Sequence, residues 1–192
     1  MNLAEQPTAD RIAIIDALIA RLPDYLASDA LFLPVMAEHG GRHDPVSLTL
    51  GVLLDALDAL AAVAPSDARA LDDQLRAAAA LRPDAYAAKL HRELRSAVAV
   101  WKATADDVVR EPERAGDGWH EAARQRTRAA QLLDELGRIG VSPQPATQAS
   151  LSAADAAARP NTVTAPFAGR PLDAERFPAE RFWWLWRRPA GD

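Results

Sequence analysis

The chain has 192 residues, enough for one ordinary domain with an appendage, and for a core that can fold without disulfides or structural metal. It has no cysteine, which excludes thiol nucleophiles, cysteine-ligated zinc, iron–sulfur clusters and disulfide frameworks together, and leaves the redox compartment open. With 27 acids against 22 bases, a net charge of -5 and a pI near 5.4, it lacks the concentrated positive excess of a phosphate-neutralising domain, so nucleic acid is not an expected partner.

The hydrophobic share of 49% overstates the core, because 43 residues are Ala and only 23 are Leu. Arg outnumbers Lys 20 to 2, which in an Ala-rich chain reflects coding composition before guanidinium-based recognition. Residues 1–75 hold 12 acids and 4 bases, while residues 76–192 hold 15 acids and 18 bases, a division that favours head-to-tail self-association. No run approaches the roughly 18 apolar residues of a membrane span. Met1 to Asp10 lacks the basic start and apolar stretch of a signal peptide, and the expected location is the cytoplasm.

Apolar spacing near 3.6 over the first 140 residues predicts an all-α fold, an antiparallel helical bundle. Thr8 is placed to cap a first helix with the stripe Ile12, Ile15, Leu18, Ile19 and Leu22, and Pro23 to stop it. A short helix is expected from about Asp29 to Glu38, ended by Gly40 and Gly41. Asp44-Pro45 reads as an N-cap followed by a first-turn proline, opening a central helix with Leu50, Leu53, Leu54, Leu57 and Leu60 on one face. Pro65-Ser66-Asp67 starts the next helix, through Leu71, Leu75 and Leu81. Pro83-Asp84 marks either a kink or a fresh start, after which the stripe Tyr86, Leu90, Leu94, Val98, Trp101, Val108 and Val109 continues for about seven turns. Glu111 to Gly118 reads as a charged loop, with Asp117 capping a last helix from Trp119 to about Arg138 that Gly140 closes.

The expected division is a bundle domain over residues 1–140 and a Pro-rich arm over residues 141–192, which holds seven of the 14 prolines and one short helical stretch, Leu151 to Ala158. Within the arm, Ala174-Glu175-Arg176-Phe177-Pro178 is echoed by Ala179-Glu180-Arg181-Phe182-Trp183, too short a repeat for a solenoid. Six of the 11 aromatics fall between Phe167 and Trp186.

Chemistry has little local support. His39 and His43 are correctly spaced for a helical metal pair but are separated by two glycines. Asp117 and His120 are three apart where the Asp already serves as a cap, and no Glu-x-x-His occurs. No metal and no cofactor is expected. Gly-x-Ser-x-Gly, Gly-x-Gly-x-x-Gly and the Walker loop are absent. Asp72-Asp73 and Asp106-Asp107 diverge by about 100° on their helices and read as solvated, as do Arg124, Arg126 and Arg128.

The aromatic arm carries the functional expectation. Several hundred Å² of ring surface within a few residues is costly to expose. Its cover is the chain's own helices, a partner or second copy, or a membrane surface with Arg187 and Arg188 on phosphates, a case that Glu175 and Glu180 weaken. The leading expectation is a non-catalytic interaction or assembly protein, its partner-binding residues being Phe177, Phe182, Trp183, Trp184, Trp186, Arg187 and Arg188. The alternative is a small helical enzyme or ligand binder using His91 or His120, and a weaker one is a peripheral membrane protein.

Overall fold

The computed structural model describes residues 6–39, 41–165 and 173–191. They are mostly helical, with two small two-stranded antiparallel sheets, and they divide into two compact units. Unit 1 holds the described residues up to Glu93 together with Asp134–Val141, and unit 2 holds the remainder.

Unit 1 is built from α1 (Thr8–Ala20), α2 (Leu22–Ala27), β1 (Leu33–His39), β2 (Arg42–Leu48), α3 (Leu50–Ala61), α4 (Pro65–Ala80), the start of α5 (Pro83–Arg110) and the end of α6 (Pro112–Arg138). Ile14, Ile15, Leu18, Leu22, Leu53, Leu60 and Leu75 fill its core. The hairpin lies against α1, turning Val35, Ala37, Val46 and Leu48 inward.

Unit 2 takes the rest of α5 and α6, α7 (Pro145–Ala158), β3 (Thr162–Thr164), a short 3-10 turn at Trp183–Leu185 and β4 (Arg187–Pro189), which pairs with β3. Its core sets Trp101, Trp119 and Trp184 among small residues: Ala97, Ala105, Ala122, Ala123, Ala129 and Ala154 are all buried. The alanines that look like filler in the composition leave the space that indole rings occupy.

Four helices begin on proline, Pro65, Pro83, Pro112 and Pro145, because the first helical position needs no backbone donor. Beyond Arg138, the last residue of helix α6, Gly140 (φ 72°) closes the helix, with Gly140 N–H donating to Gly137 O and Val141 N–H to Leu136 O, the left-handed C-terminal cap that the glycine predicts.

Several expectations are corrected. The fold is not all-α: the segment expected as a helix from Asp29 to Glu38 is largely strand β1, and Asp44-Pro45 lies within β2 instead of opening a helix. The central helix starts at Leu50, where the Thr49 hydroxyl accepts from Val52 N–H. Gly41 (φ 73°) turns a hairpin instead of ending a helix. Thr8 is the first residue of α1 and makes no cap, and Pro23 sits in the first turn of α2. The expected loop from Glu111 to Gly118 is helical from Pro112 onward, so Asp117 lies inside α6. The arm contains a 14-residue helix, not only the short stretch from Leu151. No helix among the described residues is long and apolar enough to cross a membrane.

Candidate functional site

The arm residues singled out in the sequence lie in unit 2, where Phe182, Trp183, Trp184 and Leu185 are buried. Trp183 meets Trp101 edge-on at 6.0 Å and Trp184 at 6.0 Å. Phe182 bridges Trp184 (5.5 Å) and Phe177 (5.3 Å), and Trp101 meets Trp119 at 5.2 Å. Phe167 lies outside the described residues. Four of the five indole N–H groups have identified acceptors: Trp101 donates to Asp155, Trp119 to Arg187 O, Trp184 to Thr127 Oγ1 and Trp186 to Phe177 O. Arg187 also donates to Thr162, tying β4 to β3. Trp186, Arg187 and Phe177 are half-buried and Arg188 is exposed.

Against the rings, Arg126 makes a bidentate ion pair with Asp155, 2.9 Å from Nε and 2.7 Å from Nη2, and stacks its guanidinium 3.9 Å above the Trp184 ring. Its Nη1 is buried without a hydrogen-bond partner among the described residues. Arg126 is therefore no solvated surface residue, unlike exposed Arg124. Its place was legible: it continues the stripe Trp119, Ala122, Ala123, which is buried at helical spacing. The end of the arm packs closely on the start of α6, where a Cβ on Gly191 would come within 2.7 Å of Glu113 N.

In unit 1 a second polar centre gathers on α5. The buried Glu93 carboxylate accepts from Tyr25 hydroxyl (2.6 Å), Leu50 N–H (2.7 Å) and Gly51 N–H (2.8 Å), so it caps the start of α3 from another helix. Burial pushes its carboxyl above the ordinary range, against the opposing pull of these donors. The Tyr25 hydroxyl also reaches Leu31 O at 2.9 Å, and burial together with the neighbouring carboxylate raises its pKa. Lys89 Nζ donates to Ala30 O (2.6 Å) and lies 4.1 Å over the Tyr25 ring, and Arg92 donates to Asp29 O. Burial lowers the Lys89 pKa.

These contacts have one consequence in common. The segment carrying the hairpin leaves after α2 and returns at α3, and side chains of α5 hold both stems: Lys89 and Arg92 at residues 29–30, Glu93 at residues 50–51. Sequence reading gave no role to Glu93, although it too sits in an apolar helical stripe, between Leu90 and Ala97.

Between these stems the hairpin presents an apolar outer face. Phe32 is 57% exposed and Met36 61%, with Pro34 between them and Pro45 opposite Met36, and Leu31 adjoins at 42%. Neither the aromatic count nor the histidines point here.

Buried Glu135 accepts from Tyr86 hydroxyl (2.7 Å) and from Arg138. Asp72 and Asp106 engage Arg76 and Lys102 along their own helices. His91 is half-buried on α5 and His120 exposed on α6. His43 is exposed on β2, and His39 ends β1. Among the described residues, no three groups of metal-ligand type come together. The chain matches no family model, no curated protein and no solved structure.

Proposed function

We propose that this chain is a non-catalytic interaction or assembly protein whose docking surface is the outer face of the β1–β2 hairpin. The observation that carries the reading is an apolar row, Phe32, Pro34 and Met36, left in solvent on a hairpin whose two stems are pinned by Lys89, Arg92 and Glu93. A surface held rigid before binding loses less conformational freedom when it docks. Two carboxylates act as structural acceptors: buried Glu93 takes one hydroxyl and two backbone donors, and half-buried Asp155 takes Trp101 and Arg126.

The aromatic arm, with Phe177, Phe182, Trp183, Trp184, Trp186, Arg187 and Arg188, has a second place in the proposal. Its share in docking falls to what unit 2 leaves uncovered, the half-exposed Trp186 and the exposed Arg188.

The test is site-directed photo-cross-linking in cells, with benzoylphenylalanine in place of Met36 and, as control, in place of Leu81, which is 77% exposed outside the hairpin. A discrete adduct at position 36 and none at 81 is expected. The same adducts in the same yield at both positions, or none at either, would overturn the reading.

A further inference from the structure

The chemistry of the hairpin's outer face narrows what it takes, provided that the face is a docking surface as proposed above. In an antiparallel pair, residues alternate between positions whose N–H points to the partner strand and positions whose N–H points to the free edge. Proline has no N–H, and Pro34 pairs with Ser47 while Pro45 pairs with Met36, positions of the same parity. The two prolines thus sit where the edge-directed donors of each strand would lie, one on β1 and one on β2. Both edges are blunted against strand addition, the usual protection of an edge strand. What docks must lie across the face.

The size of the face limits the occupant. Phe32 to Met36 spans four residue steps, about 13 Å of strand, which matches roughly two and a half turns of helix. Its exposed side chains offer on the order of 300 Å², well short of the roughly 800 Å² that each side of a stable dimer contributes. Charge limits it further. The row continues along β1 into the exposed carboxylate of Glu38, and the described residues of unit 1 carry 15 acids against 9 bases. Two copies of a unit with that acidic excess repel one another, and an occupant of opposite sign is drawn in.

We infer that the outer face of the β1–β2 hairpin receives a cationic amphipathic helix of another protein, its apolar stripe on Phe32, Pro34 and Met36 and its Lys or Arg residues toward Glu38.

The probe is a dye-labelled amphipathic Leu/Lys peptide of about 15 residues, near the shortest length that holds a helix, with a Leu/Glu peptide of the same pattern for comparison. The full chain is used. The site is reported by the methyl resonance of Met36, one of only two methionines, and affinity by fluorescence anisotropy. The Leu/Lys peptide is expected to shift the Met36 methyl and to bind at least tenfold more tightly than Leu/Glu. Phe32→Ser should weaken it about tenfold and Glu38→Lys several-fold, with the unfolding midpoint of each variant unchanged. Unchanged binding to Phe32→Ser would mean diffuse attraction to an acidic surface, and the inference falls. Equal binding of both peptides at Met36 would overturn the cationic partner yet keep the face as a docking surface. No Met36 shift with either peptide overturns the inference, and concentration-dependent pairing in sedimentation that Phe32→Ser abolishes would assign the face to a second copy. The cross-linking at position 36 is independent of all these outcomes, so the broader reading fails separately.

Discussion

Glu93 shows how one side chain can organise a segment far from it in sequence. Its oxygens take two orphan N–H groups of α3 and the Tyr25 hydroxyl, and burial still holds its carboxyl above the ordinary range. When Glu93 is protonated it can donate to Tyr25, leaving the Tyr25 proton for Leu31 O. Because the folded state then holds a proton that the unfolded state has released, the Glu93 contribution to stability is full at pH values below the ordinary carboxyl range and is lost as pH rises through its raised value. Glu135, raised for the same reason, acts in the same direction. Glu93→Gln should flatten the fall of stability with pH above about pH 4.5, by at most about 1.4 kcal/mol per pH unit, the limit for one proton. Denaturant midpoints from pH 4 to 8 measure this, and parallel curves for variant and parent would refute it. In unit 2, Arg126 and Asp155 form an ion pair with the arginine nearly buried. Arg126→Met should cost about 3 kcal/mol, because the Asp155 carboxylate loses its cationic partner and two N–H donors. Adding Asp155→Asn should recover part of that loss in a double-mutant cycle, and a double variant worse than the sum of the singles would contradict it.

Among elements, the helices were the most legible and the hairpin the least. Prolines at Pro65 and Pro83 and the glycine at Gly140 act through backbone geometry alone, so their local rules held. Leu53 and Leu60 on α3 are fully buried, and truncating either to Ala should lower unfolding stability by about 2–5 kcal/mol. Unchanged urea midpoints would remove that face of α3 from the core. Strand β1 was hidden because both of its faces are apolar from Phe32 to Ala37. Inward Leu33, Val35 and Ala37 alternate with outward Phe32, Pro34 and Met36, so the period of two disappears into a continuous apolar run that a helix can also explain. The property that makes the outer face a candidate docking surface is the one that disguised it. Asp44-Pro45 misled for a related reason: the pair is a strong local helix start, and strand pairing overrode it. Glu93 and Arg126 were missed because a charge within an apolar stripe announces burial but not the partners, which come from residues 25, 50, 51 and 155.

For the molecule as a whole, the arm raises the same question the sequence did, since Phe182, Trp183 and Trp184 are covered by rings and helices of their own unit. Truncating a buried ring costs about 3–5 kcal/mol, and three of them approach the whole stability of an ordinary domain. A chain ending at Pro171 keeps only Trp101 and Trp119 of the five tryptophans, so fluorescence reads the fate of the remaining core directly. Trp119 loses its acceptor at Arg187 O and Trp101 its contact with Trp183. Emission from the shortened chain should move to longer wavelength, with near-ultraviolet dichroism reduced and unit 2 amides exchanging faster. Trp184→Phe is the milder companion variant: it keeps a ring under Arg126 but gives up the hydrogen bond to Thr127, and should cost about 1 kcal/mol. An arm that served only as a partner anchor would give the opposite pattern. The shortened chain would then keep its unfolding midpoint and its emission maximum, and would lose association alone.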